Sequence, residues 1–137
     1  MQRRIAILFM VTLLAASACT SAPSPAGSDP SACTVAVLQP VVTAYVQRSD
    51  PANALPISDL QCAQGWAVAA GILGPDDPPA DGPHGAPTSV VLAFEDGQWV
   101  VREKADVCGV YDPNVPDAYP DDAAIPEALY VSGCLAG

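Results

Sequence analysis

Asp96-Gly97 sits between two runs of alternating apolar residues, and this pair leaves the flanking chain, Thr88 to Lys104 (TSVVLAFEDGQWVVREK), few ways to fold. A two-residue loop of this kind takes a type I′ turn, because glycine tolerates the positive φ the turn demands and the turn's twist matches that of paired strands. Register follows from the loop: Glu95 pairs with Gln98, Phe94 with Trp99 and Leu92 with Val101. Val90, Leu92, Phe94, Trp99 and Val101 then share one face, expected to be the core, while Val91, Ala93, Val100 and Arg102 share the other. Trp66, Phe94 and Trp99 are accordingly expected as core residues rather than as a binding platform.

An isolated hairpin is marginal in water and needs partners. Asp59 to Leu73 (DLQCAQGWAVAAGIL) is predicted to supply one as a single strand, with Cys62, Gln64, Trp66, Val68, Ala70 and Ile72 on one face. Its alanines favour helix, but Gly65 and Gly71 would weaken one. Upstream, Val35, Leu38, Val42, Tyr45 and Val46 recur at helical spacing between Cys33 and Arg48, with Ser31 as N-cap candidate. Pro40 requires that this helix either kink or begin at Pro40 as its first residue. Gly74 to Pro87, with five prolines in fourteen residues, is predicted as a loop. Beyond Cys108 the chain is turn-rich until a short helix predicted within Asp122 to Tyr130, with Gly133 as its stop.

The opening stretch, Met1 to Cys19 (MQRRIAILFMVTLLAASAC), sets the compartment. Arg3 and Arg4 precede an apolar run from Ile5 to Ala16 and a small-residue cleavage site, the pattern of an export signal too short to span a bilayer. Ala16-Ser17-Ala18-Cys19 resembles a bacterial lipobox, whose cysteine receives a diacylglyceryl group and becomes the first residue after cleavage. The lipobox usually has Leu where Ala16 stands, and A-x-A cleavage of a plainly secreted protein is the alternative. The chain has five cysteines. Lipidating Cys19 leaves Cys33, Cys62, Cys108 and Cys134 for two disulfides, as expected of a small exported domain. Of the three connectivities, Cys33–Cys62 and Cys108–Cys134 is the expected one, because Cys134 can tie the C-terminal helix back to the end of the hairpin.

Residues 1–18 are thus expected as a lipoprotein signal peptide and residues 19–32 as a disordered Ser/Pro/Ala tether spanning roughly 20 Å. Residues 33–137 form one disulfide-stabilised ectodomain, too small for a large core. After cleavage three basic residues (Arg48, Arg102, Lys104) stand against fifteen acidic ones, a net charge of −12. Scattered cations so few cannot supply a phosphate-binding surface, which argues against nucleic acid and leaves the acyl chain as the membrane contact.

Cys62-Ala63-Gln64-Gly65-Trp66-Ala67-Val68-Ala69, the hairpin with Phe94, Gly97 and Trp99, Cys108, and Ile125-Pro126 to Cys134 together resemble small secreted proteins and lipoproteins of high-GC Gram-positive bacteria. The resemblance implies a fold more than an activity. Cys108-Gly109-Val110-Tyr111-Asp112-Pro113 also resembles the reactive-site region of secreted subtilisin inhibitors.

Catalytic sets are sparse. His84, the one histidine, lies near Asp76, Asp77 and Asp81 in a Pro/Gly loop, where a solvated loop residue is expected rather than a metal ligand. No G-x-S-x-G elbow accompanies it. Asp112, Asp117, Asp121 and Asp122 with Tyr111 and Tyr119 are the residues a glycosidase would use, but such chemistry needs a cleft that perturbs carboxyl groups. Asp76 to Asp81 lacks the ligand alternation of a calcium loop. The expectation is an α+β domain, an N-terminal helix packed on a small antiparallel sheet with two disulfides and a short C-terminal helix. It is anchored by Cys19 on the extracytoplasmic membrane face, without metal or cofactor. A non-enzymatic module for an envelope protein, cell-wall component or small ligand is expected, with a small envelope hydrolase or a secreted protease inhibitor as alternatives.

Overall fold

A computed structural model describes residue 29 and residues 31–78, 80–82, 84–116 and 118–136. The leader, Cys19, most of the tether and Asp117 lie outside the described residues.

Helix α1, Val35–Val46, turns Leu38, Val42 and Val46 into the core. Its N-cap is Thr34 rather than Ser31: the Thr34 hydroxyl accepts from the Val37 N–H at 3.4 Å, while the N–H and hydroxyl of Ser31 both donate to Asp29 Oδ1. The helix runs through Pro40 and does not start there. Pro40 and Ala36, whose carbonyl loses its bond to the missing N–H, are both exposed, so water can satisfy that carbonyl.

Five antiparallel strands follow. They are β1 Asn53–Ala54, β2 Ile57–Ala63, β3 Trp66–Pro75, β4 Ala86–Glu95 and β5 Gln98–Arg102. The sheet runs β1-β3-β4-β5, with β2 continuing beside β3 past β1. The Asp96-Gly97 hairpin has the predicted register, Glu95 to Gln98, Phe94 to Trp99 and Leu92 to Val101, with φ of 51° and 82° at the turn. The single strand predicted over Asp59 to Leu73 is instead a second hairpin. Gln64 and Gly65 take φ of 49° and 79°, and Ala63 pairs with Trp66. The physical reason is the same as at Asp96-Gly97: two successive positive φ angles make a turn whose twist fits the strands. Gly74, Pro75, Ala86 and Pro87 belong to β3 and β4, so the Pro-rich loop is shorter than predicted.

Both faces of the sheet are covered, where one was expected. On the first face Leu38, Val42 and Val46 of α1 pack with Leu55, Ala67, Ala69, Val90, Leu92 and Trp99, and the small side chains of Ala67 and Ala69 leave room for the helix. On the second face Val68 and Val91 pack with Val107, Ile125, Leu129 and Tyr130. That cover comes from the tail: a one-turn helix α2, Lys104–Val107, then α3, Glu127–Tyr130, which passes into a wide π turn over Val131–Leu135. Gly133 therefore does not stop the helix. It is a close-approach position, where an added Cβ would stand 2.7 Å from Ile125 Cδ1 and 3.0 Å from Val68 Cγ2.

The disulfides are Cys33–Cys62 and Cys108–Cys134. The first fastens α1 to β2 and the second fastens the C-terminal turn to the end of α2, one on each side of the sheet. Such bonds belong to an oxidising, extracytoplasmic environment. Among the described residues no helix is long and apolar enough to cross a membrane.

Candidate ligand groove

The residues singled out for chemistry do not meet. His84 and Asp76, Asp77 and Asp81 are exposed around the loop between β3 and β4, and among the described residues no group of three or more His, Cys, Asp and Glu side chains could hold a metal ion. Asp122 accepts from the Val110 N–H at 3.1 Å and Asp112 accepts from Asn114 at 2.8 Å, so each carboxylate holds its own loop. Tyr119 donates to the carbonyls of Ala123 and Ile125 and packs edge-on against Tyr130. Trp99 is 8% exposed and tilted against Phe94 at 5.4 Å, whereas Trp66 packs with the second cluster across the sheet. The three aromatics therefore belong to two cores and meet only at the border of a hollow of about 230 Å³ beside the Cys33–Cys62 bond.

What the fold does bring together is the cations. Arg48, Arg102 and Lys104, the only basic residues after Arg4, all line one groove of about 640 Å³ between the last turn of α1 and the end of the β4–β5 hairpin. They are scattered in the sequence and border the same hollow, with the Arg102 guanidinium drawn to Glu95 and Lys104 Nζ to Ser89 and Ala136. The groove's apolar lining is Val46, Leu73, Val90 and Val101, and its polar rim adds Tyr45, Thr88, Ser89 and Glu103. Tyr45 and Arg48 also border an adjoining hollow of about 280 Å³ over Gln98 to Val101.

Each cation is held differently. Arg102 is engaged by Glu95 through Nε at 3.0 Å and through Nη2 in a second, shorter contact, a two-point charge pair across neighbouring strands. Lys104 Nζ donates to Ser89 Oγ at 2.8 Å and to the Ala136 carbonyl at 3.0 Å, with no carboxylate partner among the described residues. Burial pushes its ammonium below the ordinary lysine range. Arg48 carries no ion pair among the described residues and lies 6.0 Å over the Tyr45 ring, one helical turn back. The Tyr45 hydroxyl donates to Glu103 Oε1 at 3.2 Å, joining the helix wall to the wall beyond β5. Burial first, then this bond to Glu103, raises the Tyr45 phenol above its ordinary range.

A surface with fifteen carboxylates that nonetheless leaves two cations beside an apolar floor can attract and hold an anion. Comparison with protein-family models, curated proteins and solved structures finds no match.

Proposed function

We propose that the chain is an extracytoplasmic lipoprotein, held to the membrane by a diacylglyceryl group on Cys19, whose ectodomain binds a ligand in this groove without transforming it. Kinship with the small secreted proteins and lipoproteins of high-GC Gram-positive bacteria is part of the same proposal. The observation that carries it is the convergence of Arg48, Arg102 and Lys104 on one apolar-lined groove. The position of the groove supports it further. The tether joins at the N-terminal end of α1, and the groove opens at the far end of that 12-residue helix, about 18 Å away. The groove then lies at the end of the helix remote from the attachment point.

Two measurements test the reading. Cys19→Ser should move the protein from the detergent phase to the aqueous phase and remove the acyl mass from its N-terminal peptide. An unacylated native N-terminus would end the lipoprotein reading. Amide shifts on titration with envelope-derived anions should concentrate at Tyr45, Arg48, Thr88 and Lys104, and shifts centred elsewhere would end the binding-site reading.

A second reading, a secreted protease inhibitor, is favoured by one observation. Val110 and Tyr111, 75% and 55% exposed, follow the disulfide-tied Cys108 on a loop pinned by Asp122. Stoichiometric block of subtilisin, abolished by Tyr111→Gly, would support it, and unimpeded proteolysis would remove it.

A further inference from the structure

The groove sorts its own donors. The Glu95 pair already occupies Nε and one terminal nitrogen of Arg102, and two of the three Lys104 N–H bonds go to Ser89 and Ala136. Among the described residues Arg48 alone keeps its whole guanidinium for a ligand, and one Lys104 proton is left on the same groove. On the same rim Glu103 opposes a second negative charge. Below the rim the surface is aliphatic: Val46 and Val90 are already covered by the fold, and half-buried Leu73 and Val101 keep the apolar area that a carbon body would cover.

We propose that the groove takes a small amphiphilic monoanion, a single carboxylate on an apolar body, with the head at Arg48 and Lys104 and the body laid over Leu73 and Val101. This rests on the reading of the domain as a binding module and names the ligand class of that site. A planar carboxylate matches the fork of a free guanidinium in two parallel bonds. A phosphate monoester dianion would bring a second charge that Glu103 repels. A fully polar anion would leave Leu73 and Val101 uncovered, and an uncharged amphiphile would leave Arg48 unanswered. The partial burial that lowers the Lys104 ammonium acts in the same direction, since an incoming carboxylate restores the charge that desolvation opposes.

The probes are octanoate, acetate, 1-octanol and octyl phosphate, titrated into the full chain bearing Cys19→Ser and followed by amide shifts. Octanoate is expected to move the groove amides and to bind roughly tenfold more tightly than either 1-octanol or octyl phosphate, the effect of one charge-assisted contact. Acetate is expected to bind far more weakly. Arg48→Gln and Lys104→Gln should each weaken octanoate about tenfold, and Arg48→Lys should restore part of the loss. Because Lys104 also secures Ser89 and Ala136, the exposed Arg48 series decides the matter if Lys104→Gln fails to fold. Equal binding of 1-octanol, or octanoate binding indifferent to Arg48→Gln, overturns the proposal. Tighter binding of octyl phosphate at the groove overturns the carboxylate assignment while leaving the binding module intact. No shift from any of the four probes at millimolar concentration removes the groove as a ligand site, and the module reading with it.

Discussion

Gln39 is the side chain that attaches α1 to the sheet, and substituting it gives a prediction with a sign that depends on pH. Its Nε2 donates to the Leu55 carbonyl at 2.9 Å and to Thr43 Oγ1 at 3.2 Å, and its Oε1 accepts from the Ile57 N–H at 2.9 Å. The amide thus does for residues 55–57 what a neighbouring strand would do, at a place where Pro56 has no N–H of its own. Gln39→Ala leaves one main-chain acceptor and one donor without partners in a half-buried seam. Each orphan costs about 1–3 kcal/mol when fully buried, so partial water access brings the sum to about 2 kcal/mol and the fall in Tm to about 10 °C. Gln39→Glu keeps the acceptor for Ile57 but turns a carboxylate oxygen toward the Leu55 carbonyl. Its folded pKa is then raised above the ordinary glutamate value. The stability it contributes is present below the unfolded pKa, near 4.3, and is lost as pH rises through the folded value. Urea melts of the wild type and both variants at acidic and neutral pH measure this. The reasoning fails if Gln39→Ala shifts stability by less than about 0.5 kcal/mol, below the smallest net hydrogen-bond contribution, or if Gln39→Glu follows the wild type across that range.

Three further outcomes are expected. Gly71→Ala should cost about 3 kcal/mol or prevent folding, because its Cβ would fall on the Pro56 carbonyl where residues 55–57 cross β3; a variant with the wild-type urea midpoint would show that crossing to be loose. Cys134→Ser should lower stability by about 3.5 kcal/mol, the chain-entropy value for a loop of 26 residues, as read by urea melts of the variant against the oxidised protein; an unchanged midpoint would contradict it. In a spectrophotometric phenol titration Tyr45 should ionise above free tyrosine, so the stability tied to its protonated form is present below the unfolded pKa and lost as pH rises through the folded one. Glu103→Gln should reduce this delay without abolishing it, since burial is the larger cause, and a delay unchanged in that variant would detach Glu103 from Tyr45.

The legible parts of the fold were those encoded within a few residues. Asp96-Gly97 announces its turn, so β4, β5 and their register follow, and the 3.6-residue spacing of Leu38, Val42 and Val46 announces α1. Gln64-Gly65 makes a turn of the same handedness and was hidden by its surroundings: alanines on both sides blur the alternation, and Gln is not among the residues that usually accept positive φ. The second core was missed for a related reason. Val90-Val91-Leu92-Ala93 is apolar at every position, which marks a strand covered on both faces, but alternation read from the hairpin alone assigns Val91 outward. The cover that buries it, Val107, Ile125 and Leu129, lies in a turn-rich tail whose docking depends on the Cys108–Cys134 bond.

The groove was illegible for a different reason, because no local pattern links Arg48 to Arg102 and Lys104. Fifty-four positions separate the first two, and they meet only because the last turn of α1 ends beside the strand that carries Arg102. With fifteen acidic residues available, a fold arranged for charge neutralisation alone would give each of three cations a carboxylate. Among the described residues only Arg102 has one, and its partner Glu95 comes from the adjacent strand rather than from across the groove. Exposed ion pairs contribute about 0–1 kcal/mol, so leaving Arg48 and Lys104 unpaired costs the domain little. The charge they leave beside an apolar floor is available to a ligand, which connects the acidity of the rest of the chain to the proposed specificity: carboxylates oppose an anion's approach elsewhere, and cations line this groove.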